Sequence, residues 1–494
     1  MKPHAPHSLD SLKTVHIVGV CGTLMGAFAA FLKRYGVQVS GSDQNVYPPM
    51  STVLENAGVR LMNGYSAENL TMDGVRPDLV VIGNVIRSDN PEARAAIDGG
   101  YAYTSLPQAM EQLMLSRTRN LVVAGTHGKT TTSSMLAHVL VACGKDPNYF
   151  IGGVPHDLPH SFHVSSVSEG RTFVLEGDEY DTAFWDKVPK FNHYLPDDVI
   201  FTSMEFDHAD IYADFSAVQR AFDGLMERVR PGGRLIACYE YPEIIPMAEA
   251  LSKTGRAEVV SYALAESVGA AQARFTVGNI ESSVIGDETF TAAEIYEYGK
   301  KVDRISLRLS GHHNALNALS VWIEAHSLGL NPDSVRSALS SFRGVKRRQE
   351  VCGEVRGVLV MDDFAHHPTA VRETLRGLKQ RYPKRRIVAI FEPRSATSRR
   401  KFFQTDYARA FQEGDATFIA APYDQTRIAD ADQFSSQQLV SDVARMGRPA
   451  FLMADVESGV TQVAQFAQEG DLVAVLSNGG FGGFTSKLLN ALKS

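Results

Sequence analysis

Short apolar runs closed by glycine or acidic residues recur along the chain, and between them apolar positions return at helical spacing. The first run, residues 15–18, leads into a turn carrying Gly19, Gly22 and Gly26 and then a helix through Tyr35. A second strand at 37–40 ends on Gly41, Ser42 and Asp43. This predicts the opening β-α-β unit of a dinucleotide-type domain, with an acidic residue where a ribose would be met. Strands follow at 79–83 and around 102–103, then a helix over 107–115. The charged stretch 116–120 marks a boundary, so the first segment spans 1–116.

The second segment, 117–343, opens with an apolar run at 122–124, a glycine-containing loop and a helix-compatible stretch at 133–141. Strands at 172–175 and 199–202 each end in acidic or polar residues, where doubly wound sheets keep their ligands. Between 257 and 309 the period changes to two: Ile305, Leu307 and Leu309 alternate with Ser306 and Arg308, and Tyr298, Gly299, Lys300 and Lys301 give a turn. An antiparallel flap is predicted there, with helices returning at 314–328 and 332–342. The last segment, 344–494, repeats the α/β rhythm with strands at 358–361, 387–391, 416–420 and 472–476. Its glycine-rich turn 477–483 suits a phosphate-lining loop or a structural corner equally. The fold class is α/β in three domains: two Rossmann-like domains flanking a P-loop ATPase-type domain with a flap.

Length supports three cores, and 44% hydrophobic with 21% charged residues describes a globular chain. A net charge of -7 with both signs interspersed disfavours nucleic acid as a partner. Residues 1–14 hold no signal-like apolar run, and no apolar run is long enough to span a bilayer, so a cytoplasmic location without membrane insertion is expected. Cys21, Cys143, Cys238 and Cys352 are far apart and imply neither a zinc site nor a disulfide framework. No obligate protein partner is evident.

The chemistry begins with Gly125, Thr126, His127, Gly128, Lys129, Thr130 and Thr131. Glycines let backbone N–H groups turn inward, the helix start adds positive potential, Lys129 can reach outer phosphates, and Thr130 can offer a hydroxyl to a metal. The usual P-loop spacing would put a first glycine at Val123, so this loop is tighter; it nevertheless predicts ATP. Glu176, Asp178, Glu179 and Asp181 crowd six residues after the 172–175 strand, a set of oxygen donors suited to Mg2+. Residues 205–210 again put acids and His208 at a sheet end, although magnesium usually avoids imidazole. His312, His313 and Asn314, with Asn317, stand at a helix start and read locally as an N-terminal cap with a partnered histidine. The N-terminal spacing G-x-x-G-x-x-x-G departs from G-x-G-x-x-G, leaving a dinucleotide-dependent oxidoreductase as a remote alternative, with a non-catalytic ATP sensor as another.

Together these motifs resemble the Mur ligases, ATP-dependent amide-forming enzymes of bacterial cell-wall synthesis. G-T-H-G-K-T-T is similar to their ATP loop, E-G-D-E-Y-D and F-D-H-A-D to their metal-binding strand ends, and H-N-A-L-N to their H-N-x-x-N element. The resemblance covers essentially the whole chain and implies a UDP-binding, an ATPase and a C-terminal Rossmann-like domain. V-G-V-C-G-T-L-M-G and D-D-F-A-H-H-P-T resemble the branch acting on UDP-N-acetylmuramate, which includes addition of L-alanine. E-G-D-E-Y-D-T-A-F-W-D-K, G-V-K-R-R-Q-E, F-E-P-R-S and S-N-G-G-F-G-G resemble the branch that attaches the recovered murein tripeptide L-alanyl-γ-D-glutamyl-meso-diaminopimelate to the same sugar nucleotide. This tripeptide reading is preferred, with L-alanine addition the alternative. The resemblance implies Gly19, Gly22, Met25, Gly26 and Asp43 for the UDP-sugar, and Lys129 on the β- and γ-phosphates. It implies Thr130 and Glu176 on one magnesium, with His208 helping to hold another. His313 and Asn314 fall near the acyl phosphate and the adenine, and Arg347 and Asp363 reach the nucleotide on domain closure, with Arg348 an alternative to Arg347. Arg394, at a C-terminal sheet end, is the candidate for the peptide carboxylates.

Overall fold

Residues that bury both faces of a strand read as continuous apolar runs, and those runs form the centre of each sheet. In a computed structural model the described residues are 9–44, 46, 50–71, 73–165, 171–285, 288–426 and 428–493. Residues 1–8, part of the stretch read as free of a leader, lie outside them. The N-terminal sheet contains β1 (Thr14–Val18), β2 (Gln38–Asp43), β3 (Arg60–Asn63), β4 (Leu79–Ile82) and β5 (Tyr103–Ser105). It is parallel throughout, in the order β3-β2-β1-β4-β5.

The central domain contributes β6 (Arg119–Ala124), β7 (Asn148–Phe150), β8 (Phe162–His163) and β9 (Thr172–Gly177). A separate hairpin, β10 (Asp181–Ala183) and β11 (Asp186–Pro189), follows. Then come β12 (Asp198–Phe201), β13 (Gly233–Cys238), β14 (Ala257–Leu264), β15 (Phe275–Ile285), β16 (Glu288–Glu297) and β17 (Lys300–Leu307). These form a ten-stranded sheet ordered β17-β16-β15-β14-β13-β12-β6-β9-β7-β8. The predicted flap is the antiparallel meander β15–β17. Its tight turn puts Tyr298 (φ 48) and Gly299 (φ 76) in the left-handed region, as a two-residue hairpin loop requires. The flap is narrower than expected: β14 pairs in parallel with β13, because Val260–Ala263 are buried on both faces and carry no alternation.

The C-terminal sheet runs β18-β19-β23-β20-β21-β22, with β18 (Glu350–Val355), β19 (Val358–Asp363), β20 (Ile387–Phe391), β21 (Ala416–Ala420), β22 (Ala450–Met453) and β23 (Leu472–Leu476). Only the β18–β19 pair is antiparallel. Among the described residues no helix is long and apolar enough to cross a membrane.

The first two domains share a core: one apolar cluster runs from Leu9 and Phe28 through Phe150 and Phe162 to Phe201 and Phe222. Phe28 and Phe31 pack on Phe162, at 5.8 and 4.8 Å between ring centroids, and Arg34 donates to the Phe162 carbonyl at 3.1 Å. A polar clasp reinforces the junction, with His193 donating from Nδ1 to Glu111 (2.7 Å) and from Nε2 to Asp186 (2.8 Å). Burial disfavours the imidazolium, but the two carboxylates more than offset it and raise its pKa above the ordinary value near 6.5. Because the folded pKa is raised, the clasp's contribution is fully present below about pH 6.5 and is lost as pH rises through the folded value. Thermal melts from pH 6 upward are therefore expected to fall more steeply for the wild type than for His193→Gln; parallel profiles would refute this.

Candidate active site

β6 ends at Ala124, and the chain must turn sharply to start the helix Lys129–Ala142. Gly128 makes the turn in the left-handed region (φ 83), and a Cβ there would meet Asn317 Oδ1 at 2.8 Å, so only glycine fits. The loop is pinned to the segment after β12: Thr126 N donates to the Ser203 carbonyl (3.1 Å), His127 N to Ser203 Oγ (2.7 Å), and Glu205 N to Thr126 Oγ1 (2.9 Å). No side chain caps the helix that follows, which leaves its first-turn amides facing the cavity with the positive end of the helix behind them.

That cavity measures about 760 Å³ and takes its lining from all three domains. The N-terminal domain supplies Gly22 and Met25, the central domain residues 126–131, Glu176, Asp178, Lys190, His208, His313 and Asn314, and the C-terminal domain Arg347, Arg348, Asp363 and His366. Lys129 Nζ lies across the loop, donating to the carbonyls of Gly125 (2.6 Å) and Thr126 (3.2 Å) and to Glu179 Oε1 (2.9 Å). Burial would lower the ammonium's pKa, but Glu179 reverses this and keeps the charge. His208 Nε2 reaches the same Glu179 oxygen at 2.9 Å, and this carboxylate raises the imidazole to about 9 despite burial.

Thr130 Oγ1 donates to Glu176 Oε1 at 2.7 Å, and Glu176 Oε2 accepts from Gly152 N at 2.6 Å. A hydroxyl and a carboxylate paired at the start of this helix fit Mg2+, a hard cation that takes oxygen ligands and keeps several waters. The imidazole of His208 fits less well as a direct ligand, because Glu179 already occupies Nε2 and raises its proton affinity; the nearby oxygen donors belong to Glu179. Lys190 pairs with Asp178 at 2.6 Å in the same cavity; burial alone would raise the Asp178 carboxyl, but the charges of Lys190 and Lys129 outweigh it and hold it at about 2.

The remaining predicted residues separate. Gly22 and Met25 reach the cavity, whereas Gly19 (φ 85), Gly26 and Asp43 shape the turn behind it; Asp43 accepts the Cys21 amide at 2.9 Å and Gly26 lies against Met50. His312 and His313 do not cap their helix, a correction to the local reading: Gly311 holds the N-cap position without a side-chain bond, and buried His313 Nδ1 has no hydrogen-bond partner among the described residues. Burial lowers its pKa, so the ring is neutral. Asn314 donates to the Ser310 carbonyl at 2.8 Å, and Asp363 accepts from the amides of Gln349 (2.8 Å) and Ala365 (2.7 Å), fixing the segment between the domains.

Arg347, in the left-handed region at φ 61, turns away to donate to the carbonyls of Ser477 (2.6 Å) and Gly479 (2.7 Å) and to Asp362 (3.2 Å). The glycine-rich 477–483 turn is thereby braced as a corner. Arg348 stacks on Phe364, 4.8 Å from the ring centroid. Arg394 lies over Tyr423 at 3.8 Å and beside Glu392 at 3.4 Å, outside the cavity lining. Sequence reasoning gave no role to Lys190 or His366 and placed Asp207 only within the F-D-H-A-D strand end. Asp207 is buried and accepts from Thr397 Oγ1 (2.6 Å) and from the His208 amide (2.7 Å), so the C-terminal domain grips the loop that carries His208. An acid directly before a histidine at a sheet end was the available signal; Lys190 had none.

Comparison with known proteins gives a consistent assignment. Residues 14–118 match the Mur ligase family catalytic domain, 123–324 the Mur ligase middle domain, and 347–479 the Mur ligase glutamate ligase domain. The chain is 38% identical over 484 residues to the UDP-N-acetylmuramate–L-alanyl-γ-D-glutamyl-meso-2,6-diaminoheptandioate ligase of Escherichia coli strain K12, covering 97% of this chain and 98% of that one. It is 35% identical over 468 residues to a UDP-N-acetylmuramate–L-alanine ligase of Arthrobacter sp. strain FB24, covering 94% and 92%. A crystal structure of a murein peptide ligase from Psychrobacter arcticus 273-4 superposes with a TM-score of 0.68 at 32% identity, over 98% of this chain and 99% of that one. The three sheets, the cavity they share and these matches lead to one assignment: the chain belongs to the Mur ligase family.

Proposed function

We propose that the protein is an ATP-dependent ligase that joins the carboxyl group of UDP-N-acetylmuramate to the amine of L-alanyl-γ-D-glutamyl-meso-diaminopimelate, as in peptidoglycan recycling. The observation that carries the reading is the single cavity in which the Lys129 loop meets groups from both flanking domains. Near-full-length identity of 38% to a ligase named for this tripeptide supports the amine's identity. Addition of L-alanine is the second reading, favoured by the relative named for that reaction.

Free carboxylates are poor acylating groups, so the lactyl oxygen attacks the γ-phosphorus of ATP, ADP leaves, and an acyl phosphate forms. The peptide amine then attacks the carbonyl carbon, a proton is lost, and phosphate departs from the tetrahedral intermediate. Here positioning and neutralisation of charge outweigh any protein nucleophile. Lys129 and the amides after Gly128 hold the outer phosphates. Thr130 and Glu176 hold magnesium, which when bound neutralises phosphate charge; Glu179, with His208 behind it, supplies further oxygen donors. Lys190 pairs with the acceptor carboxylate in exchange for Asp178. The neutral ring of His313 takes the amine proton. Arg348, rather than the tethered Arg347, faces the nucleotide, with Asp363 setting the hinge.

With ATP, Mg2+ and UDP-N-acetylmuramate present, phosphate release is expected with the tripeptide and to be far slower with L-alanine; efficient release with L-alanine alone would decide for the second reading. Lys190→Ala is expected to raise KM for the sugar nucleotide about tenfold, the effect of roughly 1.4 kcal/mol, with KM for ATP unchanged. Steady-state kinetics with each substrate varied in turn provides the check.

A further inference from the structure

Apart from the Lys129–Glu179–His208 cluster, a second set of donors gathers where the phosphate loop, the segment after β12 and the C-terminal domain meet. One ring nitrogen from each of His127 and His367 and a Glu205 carboxylate oxygen lie within 4.8 Å of one another. His127 Nε2 stands 2.8 Å and His367 Nδ1 3.8 Å from Glu205 Oε2, and the two imidazole centroids are 4.7 Å apart. Glu205 Oε1 accepts from Thr369 Oγ1 at 2.8 Å. His367 is 4% exposed; its Nδ1 accepts only a long 3.4 Å bond from Thr369 N, and its Nε2 has no hydrogen-bond partner among the described residues. Burial, with His127 adjacent, pushes His367 down to about 4, so its ring is neutral. Glu205 is ionised, held at about 2 by His127 and His367 against the effect of burial. A neutral imidazole and an ionised carboxylate are the forms that ligate a metal.

We propose that His127, Glu205 and His367 form a site for a borderline divalent cation, of the Zn2+ or Co2+ type, that bridges the phosphate loop to the C-terminal domain. Two imidazoles and a carboxylate are donors that zinc accepts and magnesium avoids. Thr369 orients the carboxylate from outside, as supporting hydrogen bonds do at metal sites. Ligation at about 2.0–2.1 Å draws the three side chains inward by rotation, because they come from three separate segments. The oxygen pair of Thr130 and Glu176 is not part of this set. A bridging ion ties the C-terminal domain to the loop, so its effect is to slow the opening that releases product.

The test uses the full-length protein, stripped of metal, kept in excess Mg2+ and titrated with Co2+. One equivalent is expected to give the strong visible absorption of low-coordinate Co2+. The band should vanish in Glu205→Gln and in His367→Asn and persist in His208→Asn, with circular dichroism reporting that each variant is folded. Absence of a saturable band, persistence in both site variants, or loss in His208→Asn overturns the proposal. Should a site variant fail to fold, X-ray absorption on wild-type protein with one equivalent of Co2+ decides: two histidine nitrogens in the shell support the site, and an all-oxygen shell refutes it. Zn2+ at one equivalent is also expected to lower kcat at saturating Mg2+ in the wild type.

Discussion

Lys129→Ala is expected to lower kcat by about 10³-fold, the scale seen when one preorganised electrostatic donor is removed from developing charge. The ammonium sits between the loop carbonyls and Glu179, and Lys190 does not replace it there: Asp178 holds that lysine in this structure, and the acceptor carboxylate takes it in the proposed complex. The fold should survive, because Glu179 keeps its bond to protonated His208 and the truncated side chain leaves space open to the cavity. Single-turnover phosphate release and a thermal melt would be measured together. An unchanged rate means the loop is not catalytic; a lost fold means that Lys129 holds the domain together.

The second large effect is expected from Asp207→Ala. This buried carboxylate lies well below the ordinary range, stabilised against burial by His366 and His208, and it receives the Thr397 hydroxyl from the C-terminal domain. Its removal releases the backbone of His208, which sits in the left-handed region at φ 54, and takes from His366 the carboxylate 3.7 Å away, while His208 keeps Glu179. Breaking a buried charge pair typically costs about 3–5 kcal/mol. A drop of that order in unfolding free energy is expected, together with a fall in kcat of about 10²-fold from misplacement of the His208 loop. Denaturant titration and steady-state kinetics measure the two separately. Full activity would show that the grip between domains is dispensable.

The sequence exposed the parts of this architecture that are local. The Gly125–Thr131 loop, the acidic stretch after β9 and the period-two meander each carry their geometry in consecutive residues, and each stands where its pattern indicates. Pairings across segments were not legible. Which of four carboxylates meets Lys129 depends on a turn in which Tyr180 N bonds Asp178 Oδ1 at 3.0 Å, pointing Glu179 inward. The choice between Arg347 and Arg348 rests on one left-handed residue that sends Arg347 to the 477–479 carbonyls. Arg394 lies at a sheet end as expected, yet Tyr423, 29 positions later in the chain, covers its guanidinium. Strands β3 and β18 were passed over because their partly exposed faces carry no clear alternation.

The two-residue strand β8 has consequences for any dissection of the molecule. It forms one edge of the central sheet, where Arg34 of the first domain bonds its Phe162 carbonyl and Phe28 and Phe31 pack on the Phe162 ring. Excising residues 9–115 would bare a sticky backbone margin next to an oily aromatic surface, the combination that recruits neighbouring chains. A truncated central lobe should therefore scatter light and self-associate where the intact chain stays dispersed, so the first domain acts as a built-in guard against aggregation.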